Sequence, residues 1–339
     1  MHNQITYETI KESNDTVCID VRTPAEYAHA HIPGALSLPV LLDEEHAAVS
    51  IEYTRGDKSK ARAMGVQCVS KRLPLLFETI QQLAQTHETV VLYCWRGGYR
   101  SHALASLLQS LGVSVHKLSG GYKDYRRYVN QSWEKAMQGK EFIALYGDTG
   151  TGKTDLLHAL DAKDMAVIDL EGLAKHRGSL LGGIGLPAQP SQKMFESLLQ
   201  EALFALPEGP VFIEGESRKI GDLFLPQPVY GALQTAGKTH ILSKEDTRIR
   251  RLQNEYASHP KEEIIDVLNR MAPMIGDAAT KRLVLAYADG RVEEVIQQLL
   301  EKYYDPKYHY RKKEYLAGFS HEDTESTASE LIRFVSSQR

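Results

Sequence analysis

The stretch Gly147-Asp148-Thr149-Gly150-Thr151-Gly152-Lys153-Thr154 limits what this chain can fold into more than any other. It fits G-x4-G-K-[ST] and lies between an apolar run at 141–146, which reads as a strand, and a helical run at 153–160. In that setting the glycines let successive backbone N–H groups converge on phosphate oxygens at a helix N-terminus. Lys153 adds a positive charge, and the Thr154 hydroxyl can hold Mg²⁺. A strand, a phosphate loop and a helix in that order call for an α/β fold with a parallel sheet. Any diphosphate-bearing molecule satisfies such a loop, so Gly147, Gly150, Gly152, Lys153 and Thr154 are candidate diphosphate ligands.

The alternation continues with strands at 166–170, 211–214 and 239–242 and a helix at 192–206. After 245 it gives way to helix upon helix, with Ile264, Leu268 and Met271, then Val292, Val295 and Leu299, at helical spacing. Strand ends in a sheet of this kind open onto the ligand crevice. Asp169 and Glu214 end two of the strands, so either could order a metal or a water. His176-Arg177-Gly178-Ser179 and Ser217-Arg218-Lys219 follow the same strands, which adds His176, Arg177 and Arg218 as anion contacts. Together they suggest a substrate with more than one anionic group. The Gly-, Pro- and Ser-rich loop 178–192 has a length that is usually functional.

A separate alternation precedes this one, with strands at 17–21, 89–93 and 113–118 and helices at 74–86 and 101–111. Beyond Gly120-Gly121 the chain turns polar and aromatic, so a boundary is expected there. The expected division is a first domain over 1–130, a linker over 131–140, a phosphate-loop domain with a helical C-terminal part over 141–320, and a tail over 321–339. A length of 339 residues suits two domains, and 42% apolar against 25% charged residues suits packed cores. No run of about 18 apolar residues and no apolar leader are present, so a cytoplasmic protein is expected. Three cysteines without CxxC spacing argue against a disulfide framework and a structural zinc site.

Cys94 ends the strand at 89–93 and opens the loop Cys94-Trp95-Arg96-Gly97-Gly98-Tyr99-Arg100, a C-x5-R spacing in front of a helix. A thiol there, among converging N–H groups and beside two arginines, should be nucleophilic as its thiolate. Cys94 is therefore the catalytic candidate, with Arg96, Gly97, Gly98 and Arg100 around an anion. Cys18, in an apolar strand, and Cys68 read as structural thiols.

Asp20-Val21-Arg22-Thr23-Pro24-Ala25-Glu26-Tyr27, His31-Ile32-Pro33-Gly34-Ala35, the Cys94 loop and Gly120-Gly121-Tyr122 resemble a rhodanese domain from end to end. The resemblance makes His31 a structural member of its motif. The loop is one residue longer than in sulfurtransferases of that kind and resembles the phosphatase and arsenate-reductase branch, which implies a chalcogen bound to phosphate as occupant. With Asp169-Leu170-Glu171-Gly172-Leu173-Ala174, His176-Arg177-Gly178-Ser179, Gln189-Pro190-Ser191-Gln192-Lys193, Glu214-Gly215-Glu216-Ser217-Arg218 and Tyr303-Tyr304-Asp305-Pro306, the chain resembles the tRNA 2-selenouridine synthase family from about 20 to 304. The segment at 51–56 departs from the family wording and is given no role.

That resemblance implies a two-step exchange at the wobble uridine, position 34, of tRNAs for Lys, Glu and Gln. The 2-thio group is S-geranylated from geranyl diphosphate, then replaced by selenium from selenophosphate. It implies no tightly bound cofactor, no DNA or membrane partner, and transient contact with an enzyme that makes selenophosphate. A net charge of −4 does not advertise nucleic-acid binding, but 117–140 hold six basic and two acidic side chains and 302–313 five and one, with tyrosines interleaved. Lys123, Arg126, Arg127, Arg311, Lys312 and Lys313 are the tRNA-contact candidates. Competing readings are a C-x5-R phosphatase fused to a small-molecule P-loop kinase, a tRNA sulfurtransferase, and an RNA-binding module with a decayed first domain.

Overall fold

The structure, a computed structural model, describes residues 4–13, 15–178, 182–215, 217–257, 259–308 and 314–338. The chain forms two compact units, Met1–Ser132 and Trp133–Arg339. Among the described residues no helix is long and apolar enough to cross a membrane.

The first unit is built on five parallel strands: β1 (Gln4–Ile5), β2 (Thr16–Asp20), β3 (Leu36–Ser37), β4 (Thr89–Tyr93) and β5 (His116–Leu118), in the order β1-β5-β4-β2-β3. β2 and β4 sit at the centre and are almost wholly buried, which is why both read as unbroken apolar runs. Two helices differ from the sequence expectation. The one expected at 74–86 is the C-terminal part of a 29-residue helix, Lys58–Thr86, that runs through Pro74. Its first half is mostly exposed, so it carries no apolar stripe to read, and it pairs with the helix Asp43–Thr54. The polar, aromatic stretch after Gly120 is also a helix, Gly121–Gln131, whose buried face is Tyr122, Tyr125, Arg126 and Val129 rather than aliphatic.

The second unit carries five more parallel strands: β6 (Lys140–Tyr146), β7 (Val167–Ile168), β8 (Gly209–Glu214), β11 (Gly237–Leu242) and β12 (Ala317–Ser320), ordered β12-β11-β6-β8-β7. A small antiparallel hairpin, β9 (Lys219–Ile220) with β10 (Leu223–Phe224), stands apart from the sheet. The Gln-Pro-Ser-Gln words hold it in place. Gln189 donates to the carbonyls of Ala174 and Ile220 and accepts from the Asp222 N–H, while Gln192 both donates to and accepts from the Phe224 backbone. Ser191 caps the helix Gln192–Ala205 through the Met194 N–H.

Residues 133–137, within the stretch expected as a linker, form a short helix packed against Gln192–Ala205 and Gln227–Thr235 of the same unit. The final segment, expected as a tail, is the helix Thr324–Ser337. Its Ala328 and Leu331 join Leu156, Leu157 and Leu160 of the helix Lys153–Asp161 in one core cluster. A separate helical core gathers residues from Glu245–Ala257 onward around Leu268, Met271, Leu299 and Tyr304.

Candidate functional site

In the first unit the candidate residues stand where β4 gives way to the helix Tyr99–Ser110. Cys94 is buried, and its Sγ accepts a hydrogen bond from the Ser101 hydroxyl at 3.2 Å. The loop is fastened to the next strand-to-helix turn, where the Tyr122 and Lys123 N–H groups donate to the carbonyls of Cys94 and Trp95, each at 2.9 Å. Gly121 makes that approach feasible. It has φ +62°, and a Cβ there would sit 2.3 Å from the Cys94 carbonyl oxygen and 2.5 Å from the Gly97 nitrogen.

The motif residues Asp20 and Arg22 form a buried ion pair at 2.5 Å, with the Arg22 guanidinium 4.0 Å from the Tyr122 ring centre and donating to the Ala30 carbonyl. His31 is spent on structure: Nδ1 meets the Tyr27 carbonyl at 2.9 Å and the two rings stack.

The arginines of the loop fare differently. Arg96 is exposed, alongside Trp95 and Tyr99. Arg100, expected as an open oxyanion contact, is engaged by both oxygens of Glu26. Glu26 also closes the capping box with Thr23. Burial pushes the Glu26 carboxyl up, but the hydrogen bond from Arg100 prevails and holds it below the usual carboxylate range. The Arg100 charge is thus partly neutralised, whereas Arg96 is exposed to solvent.

In the second unit the phosphate loop joins β6 to the helix Lys153–Asp161. Lys153 Nζ donates to the Gly147 carbonyl at 2.8 Å, and the Thr154 hydroxyl donates to Glu171 Oε2 at 3.1 Å. The loop's carbonyls are held from far along the chain. Arg248 Nε donates to the Thr149 carbonyl at 2.8 Å while its two terminal nitrogens grip Asp305 at 3.0 and 2.6 Å. The Thr151 carbonyl accepts from Arg251 at 2.9 Å and from His321 Nδ1 at 2.7 Å. Burial, and then the Arg251 charge, lower the His321 pKa. A carbonyl can only accept, so the ring donates through Nδ1, and Nε2 meets the Thr324 hydroxyl at 3.1 Å. A Cβ on Gly152, φ +77°, would lie 2.9 Å from the His321 ring.

The loop opens on a cleft of about 580 Å³ lined by Gly150, Gly152, Lys153 and Thr154 together with Asp169, Glu171, Arg177 and Glu255. The two strand-end carboxylates turn out to serve the backbone. Asp169 caps the helix Leu170–Ala174 by accepting from the Gly172 N–H at 2.6 Å. Glu214 is fully buried and accepts from the Leu170 N–H at 2.6 Å. Glu171, two residues beyond Asp169, is the acid beside the Thr154 hydroxyl. Arg177 lines the cleft, donates to the Ile184 carbonyl and pairs with Glu255 at 3.2 Å. Burial raises the Glu255 carboxyl, with Arg177 acting against it.

His176 lines a neighbouring cavity, and Arg218 is exposed and not part of the cleft wall. Among the basic candidates, Lys123 and Arg127 are exposed, Arg127 being paired with Asp124. Arg126 is buried and reaches Asn130, so its charge is not displayed. Arg311, Lys312 and Lys313, like Ser179 and Glu216, lie outside the described residues.

Arg248, Arg251, Asp305, His321, Glu171 and Glu255 escaped the sequence reading as site residues. The Tyr-Tyr-Asp-Pro words and the Arg248-Arg250-Arg251 cluster were the available signals for the loop clamp.

A buried thiol in a C-x5-R loop on one parallel sheet, and a phosphate loop on another, define a rhodanese-like unit joined to a P-loop unit. The comparisons agree: the rhodanese-like domain model matches residues 4–128, and the model described as the tRNA 2-selenouridine synthase AAA domain matches 140–283. The tRNA 2-selenouridine synthases of Chromohalobacter salexigens and Pseudomonas fluorescens Pf-5 are 32% and 31% identical. The alignments cover 86% and 88% of this chain and 87% and 89% of theirs. That of Cupriavidus necator is 29% identical over 95% of both chains. This chain belongs to the tRNA 2-selenouridine synthase family.

Proposed function

We propose that the protein replaces sulfur by selenium at the wobble uridine, position 34, of tRNAs for Lys, Glu and Gln that carry 2-thiouridine. In the first step the thiocarbonyl sulfur attacks C1 of geranyl diphosphate. The C–O bond breaks, diphosphate leaves, and the uridine loses its N3 proton. In the second step selenium from selenophosphate adds at C2, the geranylthiol leaves, and loss of the phosphoryl group to water gives 2-selenouridine. The order has a chemical reason: a thiocarbonyl sulfur is a poor leaving group, and its S-alkylated form is a good one.

The observation that carries this reading is the presence, in one chain, of two anion seats of different chemistry. The seat around Cys94 offers a buried thiol, the loop N–H groups and Arg96 to a small tetrahedral anion such as selenophosphate. The exposed faces of Trp95 and Tyr99 beside it suit a splayed base. The seat at Lys153 suits a diphosphate. Thr154 and Glu171 together supply a hydroxyl and a carboxylate, which fits a Mg²⁺ ion completed by water and the diphosphate itself. Among the described residues no cluster of three His, Cys, Asp or Glu side chains could hold a metal alone.

Lys123 and Arg127 are the exposed basic contacts we assign to tRNA, and a tRNA substrate puts the work in the cytoplasm. Nucleoside mass spectrometry of tRNA from a strain lacking the gene, with and without its restoration, tests the proposal. 2-Selenouridine should vanish and return, and an unchanged content would overturn it.

A further inference from the structure

A second cavity, of about 530 Å³, adjoins the phosphate cleft and has no part in the chemistry above. Its apolar wall is made by Ile184 and Leu186 on one side and by Val267, Met271 and Met274, from the helices Lys261–Arg270 and Ala272–Ile275 and the residue between them, on the other. Leu186 lines both cavities. Arg177 faces the phosphate cleft while its guanidinium holds the Ile184 carbonyl at 3.0 Å, so the segment 184–186 is a shared wall with a charged side and an apolar side.

We propose that this chamber holds the isoprenoid tail of the diphosphate donor, the chain passing over Leu186 while its diphosphate stays in the phosphate loop. The proposal rests on the reading of that loop as a prenyl-diphosphate seat. Three features of the chamber select a tail over other occupants. Its volume falls in the range of small-molecule pockets, roughly 300–1,000 Å³. Met274 offers flexible, polarisable surface that adapts to a branched hydrocarbon, and Met271 backs it from the core. Its polar lining is Glu263 and Asp266 against Arg270, with His176 beside them; two carboxylates against one guanidinium disfavour a second phosphate or an RNA strand and leave an uncharged chain unaffected.

The test is calorimetric binding of three probes to the purified full-length chain: inorganic diphosphate, dimethylallyl diphosphate and geranyl diphosphate. Each buried methylene strengthens binding about fourfold, so geranyl diphosphate should bind the unaltered protein at least tenfold more tightly than dimethylallyl diphosphate. Val267→Asp should weaken geranyl diphosphate at least tenfold and leave inorganic diphosphate within about twofold. Met274→Asp, at a position 47% exposed where the fold tolerates a charge, should act in the same direction.

If geranyl diphosphate binds the unaltered chain no more tightly than inorganic diphosphate, the donor reading falls and the chamber proposal with it. If it binds more tightly but neither variant discriminates between the probes, the chamber proposal alone is overturned. Should Val267→Asp lose every probe by misfolding, Met274→Asp decides between the same two results.

Discussion

Replacing Asp305 by alanine should loosen the phosphate loop from the far side of its own unit. The Arg248 side chain is 8% exposed and the Asp305 side chain 26%. The variant therefore leaves a nearly buried guanidinium with one carbonyl, that of Thr149, in place of two charged bonds. Breaking a buried ion pair from one side costs about 3–5 kcal/mol. Water can reach the space vacated by the partly exposed aspartate, which brings the expected loss below that range, to about 2–3 kcal/mol.

Two-unit chains need not unfold in one step, so the probe must be local. The chain has two tryptophans, and Trp133 is buried in the second unit while Trp95 belongs to the first. In a Trp95→Phe background, urea unfolding followed by tryptophan fluorescence reports the second unit alone. Asp305→Ala should lower its stability by that amount and weaken inorganic diphosphate binding at least several-fold. The pair Arg248→Met with Asp305→Leu should cost less than Asp305→Ala alone, since no charge is stranded. A loss below about 0.5 kcal/mol with unchanged diphosphate binding would refute the claim that this pair anchors the loop.

Cys94→Ser should abolish selenation while geranylation of tRNA continues, and Lys153→Ala should do the reverse, slowing geranyl transfer by on the order of 2–5 kcal/mol as the charge on the diphosphate is removed. Loss of both activities in either folded variant would show that the two steps do not divide between the loops. His321 has its pKa lowered by burial and then by Arg251, so its contribution is fully present above the unfolded histidine value of about 6.5 and is lost as pH falls through the depressed folded value. Unfolding of the second unit should accordingly show a drop in stability from about pH 7.5 to 5.5 that shrinks in His321→Asn; an equal drop would count against it. Reversing Lys123 and Arg127 to glutamate should weaken tRNA binding and flatten its log–log salt dependence by about 0.7–0.9 for each phosphate no longer neutralised. An unchanged slope would mean that the tRNA lies elsewhere.

Both loops were legible in the sequence because each is contiguous, and its chemistry depends on a few residues between a strand and a helix. Their surroundings were not. The carbonyls of Thr149 and Thr151 are held by side chains 99, 100 and 170 residues away, a separation that no local pattern encodes. Asp169 and Glu214 look like site acids because they end strands, yet Asp169 caps the helix Leu170–Ala174 that follows it, and Glu214 latches the first N–H of that same helix from the end of the neighbouring strand β8. Glu171, already inside that helix, is left to face Thr154. The helix Gly121–Gln131 was hidden for a related reason. Its buried stripe is tyrosine and arginine, residues that a hydropathy reading assigns to the surface, and Arg22 and Asp20 below it supply the polar floor.

The His321 contact also sets a timetable for biosynthesis. The ring that holds the Thr151 carbonyl enters the chain 170 residues after it. At roughly 5–20 residues per second the ribosome takes on the order of ten to thirty seconds to bridge that interval. Throughout it the nascent glycine-rich turn exists without one of its braces. Strand β12 and the helix Thr324–Ser337 must emerge and dock before the turn is finished. The phosphate loop is thus among the last parts of the molecule to mature, whereas the thiol-bearing unit, whose described strands are all encoded before residue 119, can be complete while the rest is still being translated.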